Sequence, residues 1–392
     1  MDKVFFDKKD CSGCGVCAER CPQNAITRKP DGFGFWYPEI DPKLCVDCGI
    51  CRKVCHMLNK NAADKKAQRV VALKSKDPEV IKTSQSGGAF AELAKCVLEQ
   101  GGVVYGAAFG EDFHVTHIRT DSARELYKLQ GSKYVQSETV GIWQKVKDDL
   151  ETQKRVLFSG TPCQIAALNA FLNRRYDNLF AVDLVCHGVM PPKIWKDHIT
   201  YMGKKYGKLT QANFRDKAFG GWRAGRQSFK INGSLKDFDT YSRLFNSNFF
   251  LRESCYTPEK GKIVCKYGGM TRCSDLTIGD FWGIENVNSN IPDDNMGISV
   301  CLINSEKGEK LFAGIADRVL WEEHTPEDIN TKNRNPHFAE GAPYLPQKAE
   351  KARREYLERG YLYVARKYAD LGIRGVAIKA KRFLKRYIKR NI

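Results

Sequence analysis

The chain has 392 residues, 42% hydrophobic and 28% charged, an ordinary globular composition with room for a small module plus one or two larger domains. No stretch approaches the ~20 apolar residues of a membrane-spanning helix, and MDKVFFDKKD lacks the apolar run of a signal peptide, so a cytoplasmic location is expected. Fifteen cysteines then fit a reducing compartment better than a disulfide framework, and the formal charge of +18 is concentrated at Lys348–Ile392, with 15 Lys and Arg against 4 Asp and Glu.

Residues 1–60 hold eight cysteines in two matching runs. Cys11, Cys14, Cys17 and Cys21 are spaced C-x2-C-x2-C-x3-C and Pro22 follows. Cys45, Cys48, Cys51 and Cys55 repeat the spacing, with His56 where proline would be usual. This is the bacterial ferredoxin pattern for two 4Fe–4S clusters. Three thiolates at i, i+3 and i+6 wrap one face of a cubane, and the fourth reaches the other cluster. Cys11, Cys14, Cys17 and Cys55 are thus predicted to hold one cluster, and Cys45, Cys48, Cys51 and Cys21 the other. Disulfides or zinc are the alternatives, but zinc usually takes two CxxC pairs across a longer gap. Within this module GFGFWYPEI at 32–40 reads as a strand.

After a polar segment at 59–68, short apolar runs alternate with helical ones. Arg69–Leu73 is a predicted strand. Gly88–Glu99 is a predicted helix, with Phe90, Leu93, Ala94, Val97 and Leu98 on one face. Val103–Phe109 and Val115–Arg119 read as strands, Val140–Leu150 as a helix and Arg155–Phe158 as a strand. Pro162–Leu172 reads as a helix with proline in its first turn. Leu179–Val185 is a continuous apolar strand and Pro191–Met202 a helix. The alternation predicts an α/β domain over 69–205, with a mixed, mostly parallel sheet, after the α+β ferredoxin-like two-cluster module. Residues 206–330 are more β-rich. Strands are predicted at Leu209–Arg215, Arg226–Ile231, Leu276–Gly279 and Ile298–Ile303, and helices at Tyr241–Phe250 and Glu306–Asp317. Residues 347–392 are expected to form a basic helical C-terminal tail.

Four polar or glycine-rich turns follow strands or open helices: Ser84 to Gly88, Gly131 to Tyr134, Ser159 to Cys163, and Cys186-His187-Gly188. Strand ends in open α/β sheets bind cofactors, and free N–H groups at a helix start favour phosphate. Neither a GxGxxG fingerprint nor a P-loop is present. Four such turns beside two clusters still predict a cofactor cleft.

The order of motifs resembles the family of beta subunits of coenzyme F420-reducing hydrogenases and dehydrogenases. It is carried by SQSGGAFAELAK, GSKYVQS, FSGTPCQIAAL, DLVCHGVMPP, and the SCY, CKY and RCSDLTIGDFWGIE segments at 254–286. The resemblance covers residues 1–330, including a fused two-cluster ferredoxin. It implies an α/β fold that binds a flavin, usually FAD, beside an iron–sulfur cluster, the flavin splitting a hydride into single electrons. On the matching positions, Ser86, Gly87, Gly88, Lys133, Gly160, Thr161 and Pro162 are expected to face the flavin and its phosphates. Asp280 and Trp282 are expected to close the cleft. A solvated Lys133 and a Trp282 packed under the sheet are the plainer readings. Cys163, Cys186, Cys255 and Cys265 resemble the ligands of a third 4Fe–4S cluster. The family often shows Cys-Tyr-x-Cys, whereas here TPEKGKIV separates Tyr256 from Cys265, and Cys273 is an alternative ligand. Cys96 and Cys301 lie in apolar patterns and are expected to be buried. Cys186 and His187 are the catalytic candidates, His187 either donating to flavin or substrate or holding its turn.

In Val376–Ile392 the positions Val376, Ala380, Phe383, Leu384, Tyr387 and Ile388 share one helical face, and seven Lys and Arg cover the rest. An anionic membrane surface and packing on the domain are both open; no recognised nucleic-acid motif accompanies the charge, and no nucleic-acid partner is expected. The expected function is an iron–sulfur flavoprotein oxidoreductase, cytoplasmic and peripheral to the inner membrane face if the tail binds lipid. It would connect an electron-donor or acceptor protein, through the clusters and the flavin, to a small-molecule substrate. That substrate is coenzyme F420 or another molecule, such as one in surface-polysaccharide assembly. An electron-transfer subunit that needs its partner, and a non-redox binding module, are the alternatives.

Overall fold

The computed structural model describes residues 4–5, 7–59, 65–259, 262–330, 342–343 and 345–371. The amphipathic segment Val376–Ile392 lies outside them. In the N-terminal module, β1 (Ile26–Pro30) and β2 (Trp36–Ile40) form an antiparallel pair, Ile26 facing Ile40. Each cysteine run enters a four-residue helix, Val16–Glu19 or Ile50–Lys53, through a glycine at positive φ, Gly15 at 77° and Gly49 at 72°. That left-handed corner is open to glycine at no steric cost.

An eight-stranded sheet carries the rest of the molecule. Its strands are β3 (Arg69–Ser75), β4 (Val103–Phe109), β5 (Val115–Thr120), β6 (Val156–Gly160), β7 (Leu179–Leu184), β8 (Leu276–Asp280), β9 (Ser299–Ile303) and β10 (Val319–His324). They lie in the order β10-β3-β9-β8-β7-β6-β4-β5. The central strands β8, β7, β6 and β4 pair in parallel. The flanks, β9, β3 and β10 on one side and β5 on the other, pair antiparallel. The expected mixed α/β sheet is present, with its parallel pairing confined to the centre.

Every residue of β6 (VLFSG) and β9 (SVCLI) is buried, because helices cover both faces and strands so enclosed read as unbroken apolar runs. Alternate side chains serve opposite cores. Val156 and Phe158 pack with Trp143, Val146, Ile165 and Leu168 of the helices Ile142–Glu151 and Pro162–Leu172. Leu157 packs on the other face with Leu93, Val97 and Phe312 of the helices Ala89–Glu99 and Glu306–Ala313.

A meander of Leu209–Asn213, Gln227–Ile231 and Ser234–Phe238 joins the helices Pro192–Tyr206 and Pro346–Tyr368 around an aromatic core of Trp195, Phe214, Phe229 and Tyr241. Helix Pro346–Tyr368 breaks at Gly360, where φ is 77°. Among the described residues, no helix is long and apolar enough to cross a membrane.

Candidate functional site

The two cysteine runs fold back on each other. One void is lined by Cys11, Cys14, Cys17 and Cys55, and a second by Cys21, Cys45, Cys48 and Cys51. Burial pushes the Cys14 thiol up to about 12 and the Cys17 thiol well above its usual value. A thiol so placed ionises only when a cation takes the proton's place, which is the chemistry of a metal-binding sulfur. Among the described residues, no three His, Cys, Asp or Glu side chains converge as one lone metal ion would require. The sulfurs ring voids instead, which suits a polynuclear cluster. Cys48 is exposed, whereas Cys17 is buried.

The module is seated on the α/β part by buried polar contacts. Trp143 Nε1 and Thr139 Oγ1 donate to the Cys14 carbonyl at 2.9 and 3.2 Å. Arg28 pairs with Glu138 at 2.8 Å. His56, at the position where proline would be usual, is buried between Ser12 Oγ (3.0 Å) and Tyr267 Oη (2.6 Å). Burial pushes its imidazole down to about 3, so it is neutral. Lys266 Nζ donates to the carbonyls of His56 and Met57 at 2.8 and 2.9 Å.

A second cysteine group lies beyond this seam. Cys163 opens the helix after β6, Cys186 follows β7, Cys255 ends a short 3-10 turn and Cys265 follows the strand Lys262–Val264. They come from distant parts of the chain, yet Cys255, Cys163 and Cys265 each act electrostatically to raise the Cys186 thiol, after burial as the main cause. Burial pushes Cys163 and Cys255 up to about 12. Within the TPEKGKIV segment the strands Thr257–Glu259 and Lys262–Val264 pair antiparallel, with Thr257 facing Val264. The segment leaves and returns at one point, so Cys255 and Cys265 stay together across it. Cys273 instead donates to the Pro162 carbonyl at 3.4 Å. Cys96 and Cys301 are buried.

A cavity of about 730 Å³ opens at the ends of the parallel strands, and Cys14, Cys163, Cys186 and Cys255 reach its wall. Ser86, Gly88, Lys133, Gly160, Thr161, Asp280 and Trp282 line it too, as does His187. Gly87 and Pro162 do not. Gly87 donates its N–H to Ser299 Oγ (2.9 Å), and a Cβ there would lie 2.3 Å from the Leu73 carbonyl, so this glycine lets the loop cross the sheet. Pro162 is buried in the first turn of its helix, which Thr161 and Gln164 cap reciprocally.

Lys133 donates to the carbonyls of Lys128 and Gln130 at 3.0 and 2.9 Å, and burial pushes its amine down to about 7. Asp280 accepts from Trp222 Nε1 at 2.6 Å and pairs with the buried Arg215. Arg215 in turn lies 4.7 Å over the Trp282 ring, which stacks on Trp222 at 4.6 Å. Trp282 is thus held in a wall of the cavity by an ion pair. His187 Nε2 is 2.5 Å from Asn248 Oδ1, and burial lowers its pKa.

Sequence reasoning missed His117, Arg215 and Arg252, all of which reach the cavity. His117 sits between Ser137 Oγ (3.0 Å) and the Ser159 carbonyl (3.1 Å), held neutral by burial with a pKa of about 4. The signal for Arg252 was its place three residues before Cys255; a lone His in β5 gave none.

Comparison with known proteins matches three family models. Residues 10–58 match the 4Fe-4S dicluster domain. Residues 70–143 match the N-terminal part, and 153–329 the C terminus, of the coenzyme F420 hydrogenase/dehydrogenase beta subunit. A subunit of the F(420)H(2) dehydrogenase of Methanosarcina mazei is 23% identical over 47% of this chain and 56% of its own. The ferredoxin-like protein in the nif region of Rhizobium leguminosarum is 40% identical over 12% of this chain and 78% of its own. Among solved structures, a chain of the F420-reducing NiFe hydrogenase complex from Methanosarcina barkeri aligns with a TM-score of 0.43 at 15% identity, over 69% of this chain and 86% of that one. The chain spans about half the length of the first curated relatives it matches.

Proposed function

Because the chain belongs to the family of coenzyme F420 hydrogenase/dehydrogenase beta subunits and carries a 4Fe-4S dicluster domain, we propose that this iron–sulfur redox protein is an electron-transfer subunit working with a partner protein. One observation carries the reading. The cysteine sets run in series from the exposed Cys48, through the void of Cys11, Cys14, Cys17 and Cys55, to the group at the cavity wall. Tyr267 lies between the last two, within electrostatic reach of Cys14, Cys163 and Cys265. The curated Methanosarcina mazei relative is itself named a subunit.

In this reading the two N-terminal sets each hold a 4Fe–4S cluster, and Cys163, Cys186, Cys255 and Cys265 hold a third. The cavity takes FAD. A bound flavin supplies the exchange between single electrons and electron pairs. Lys133 and Arg215 offer positive charge for its phosphates at the cavity wall. The stacked Trp222, Trp282 and Arg215 wall keeps water from that end. His187, neutral and tethered to Asn248, holds the Cys186 turn.

The test is anaerobic purification with iron, sulfide and flavin quantified on one sample. About eight irons per chain report the dicluster domain and about twelve add the third set, a difference Cys186→Ser should abolish. A protein without iron refutes the reading, and iron without flavin leaves electron transfer alone. The volume of the cavity favours a second reading, a self-sufficient reductase of a small molecule such as coenzyme F420. Turnover of that molecule by the purified chain without any partner would select it.

A further inference from the structure

Arg252 is 1% exposed, and among the described residues no carboxylate is paired with it. The other buried arginines are neutralised, Arg272 by Asp183 at 3.7 Å and Arg215 by Asp280. The Arg252 guanidinium donates to the Cys11 carbonyl (2.9 Å), Gln136 Oε1 (2.8 Å) and the Trp36 carbonyl (3.0 Å). It also lies over the Tyr37 ring at 4.4 Å. Its Nη2 is 3.8 Å from Cys11 Sγ. Gly13 makes the room: its φ is +74°, and a Cβ there would sit 2.7 Å from Arg252 Nη1. The same side chain reaches the cavity wall three residues before Cys255.

A buried charge without a counter-ion is expensive, so the fold that retains one is built for an anion at that point. Thiolate-ligated iron–sulfur clusters are anionic, and their potentials respond to net charge, to hydrogen bonds on sulfur and to exposure. Around the outer set, Cys21 Sγ accepts from the neutral Ala25 N–H at 3.3 Å, and Cys51 accepts from the backbone N–H of Arg52. Water near Cys48 stabilises added charge through a high dielectric. A fixed cation in contact with sulfur acts through the protein interior, where the same charge counts for more.

We propose that Arg252 is the shared counter-ion of the Cys11–Cys14–Cys17–Cys55 cluster and the Cys163–Cys186–Cys255–Cys265 set, and that it makes an electron more stable there than on the outer cluster. Electrons then run inward. Each step takes one electron from a reduced one-electron carrier protein at the Cys48 end and leaves it on the inner site, with no bond made or broken. The inference rests on the cluster reading above.

The experiment is an EPR-monitored redox titration of the anaerobically purified full chain, with iron measured on every sample. Cys48→Ser marks the outer couple. In the wild type that couple is expected at the lower potential. Arg252→Gln should lower an inner couple at least tenfold in its equilibrium constant, about 59 mV for one electron, and Arg252→Lys should keep most of the difference. An outer couple at the higher potential overturns the inference, even if Arg252→Gln fails to fold. Iron retained with unmoved couples in Arg252→Gln also overturns it. Wild-type protein without iron overturns the cluster reading, and the inference with it.

Discussion

Replacing Tyr267 with phenylalanine isolates the seam between the cluster module and the α/β part. The assignment that satisfies every group has Ser12 donating to His56 Nε2, His56 Nδ1–H donating to Tyr267 Oη, and Tyr267 donating to the His56 carbonyl at 3.0 Å. Tyr267→Phe keeps the ring and its volume, so no large cavity opens. It leaves the Nδ1–H buried without an acceptor, while the His56 carbonyl keeps Lys266 Nζ at 2.8 Å. One unpaired buried donor costs about 1–3 kcal/mol. With about 2 kcal/mol placed at the seam, the module should open roughly thirty times more often. Hydrogen exchange by mass spectrometry, under anaerobic conditions, reads this directly. Protection should fall in residues 7–59 and around 265–273, and not in the central strands. A change below twofold, or one spread evenly over the chain, would refute the role given to His56 and Tyr267.

Other outcomes follow from the same geometry. Gly87→Ala should cost about 3 kcal/mol in urea unfolding, because the new Cβ meets backbone of both β3 and β9 at 2.3 and 2.6 Å; a stable variant would return Gly87 to the cofactor contacts. Asp280→Ala should cost about 3–5 kcal/mol by leaving Arg215 buried without its anion, and should alter the fluorescence of the Trp222–Trp282 stack; an unchanged melting temperature would count against the ion pair as a wall support. His198, buried against Tyr361, is pushed down to about 3, so the unfolded chain binds its proton first as pH falls below the usual 6.5. The stability it contributes is complete above pH 6.5 and lost toward pH 3, and His198→Gln should remove about 1.4 kcal/mol per pH unit from that slope. Equal slopes in the two proteins would show that His198 is not held neutral.

The central strands were legible because strands covered on both faces leave continuous apolar runs, as at Val156–Gly160 and Leu179–Leu184. Val319–His324 was not, since an edge strand reading VLWEEH carries charge on its open side. Nearly every residue of the four strand-end turns lines the cavity, although the turns make up only part of its wall. Gly87 shows the limit of that logic: a glycine in a cofactor-like turn serves the crossing of two strands. The separation of Tyr256 from Cys265 looked disruptive because linear distance does not show that Thr257–Glu259 pairs back on Lys262–Val264. Arg252 carried no periodic signal, since its meaning comes from Cys11, which lies 241 residues away.

The placement of β3 has a consequence for biosynthesis. Arg69–Ser75 is the first strand of the large sheet to be made, yet both of its neighbours, Ser299–Ile303 and Val319–His324, come from the far end of the chain. While the ribosome works through the intervening residues, this apolar strand has no partner on either edge. Pairings this distant in sequence form slowly and leave a nascent chain open to association with others. Interruption of synthesis before residue 299 should therefore yield insoluble protein, even though the cysteine-bearing module would be complete.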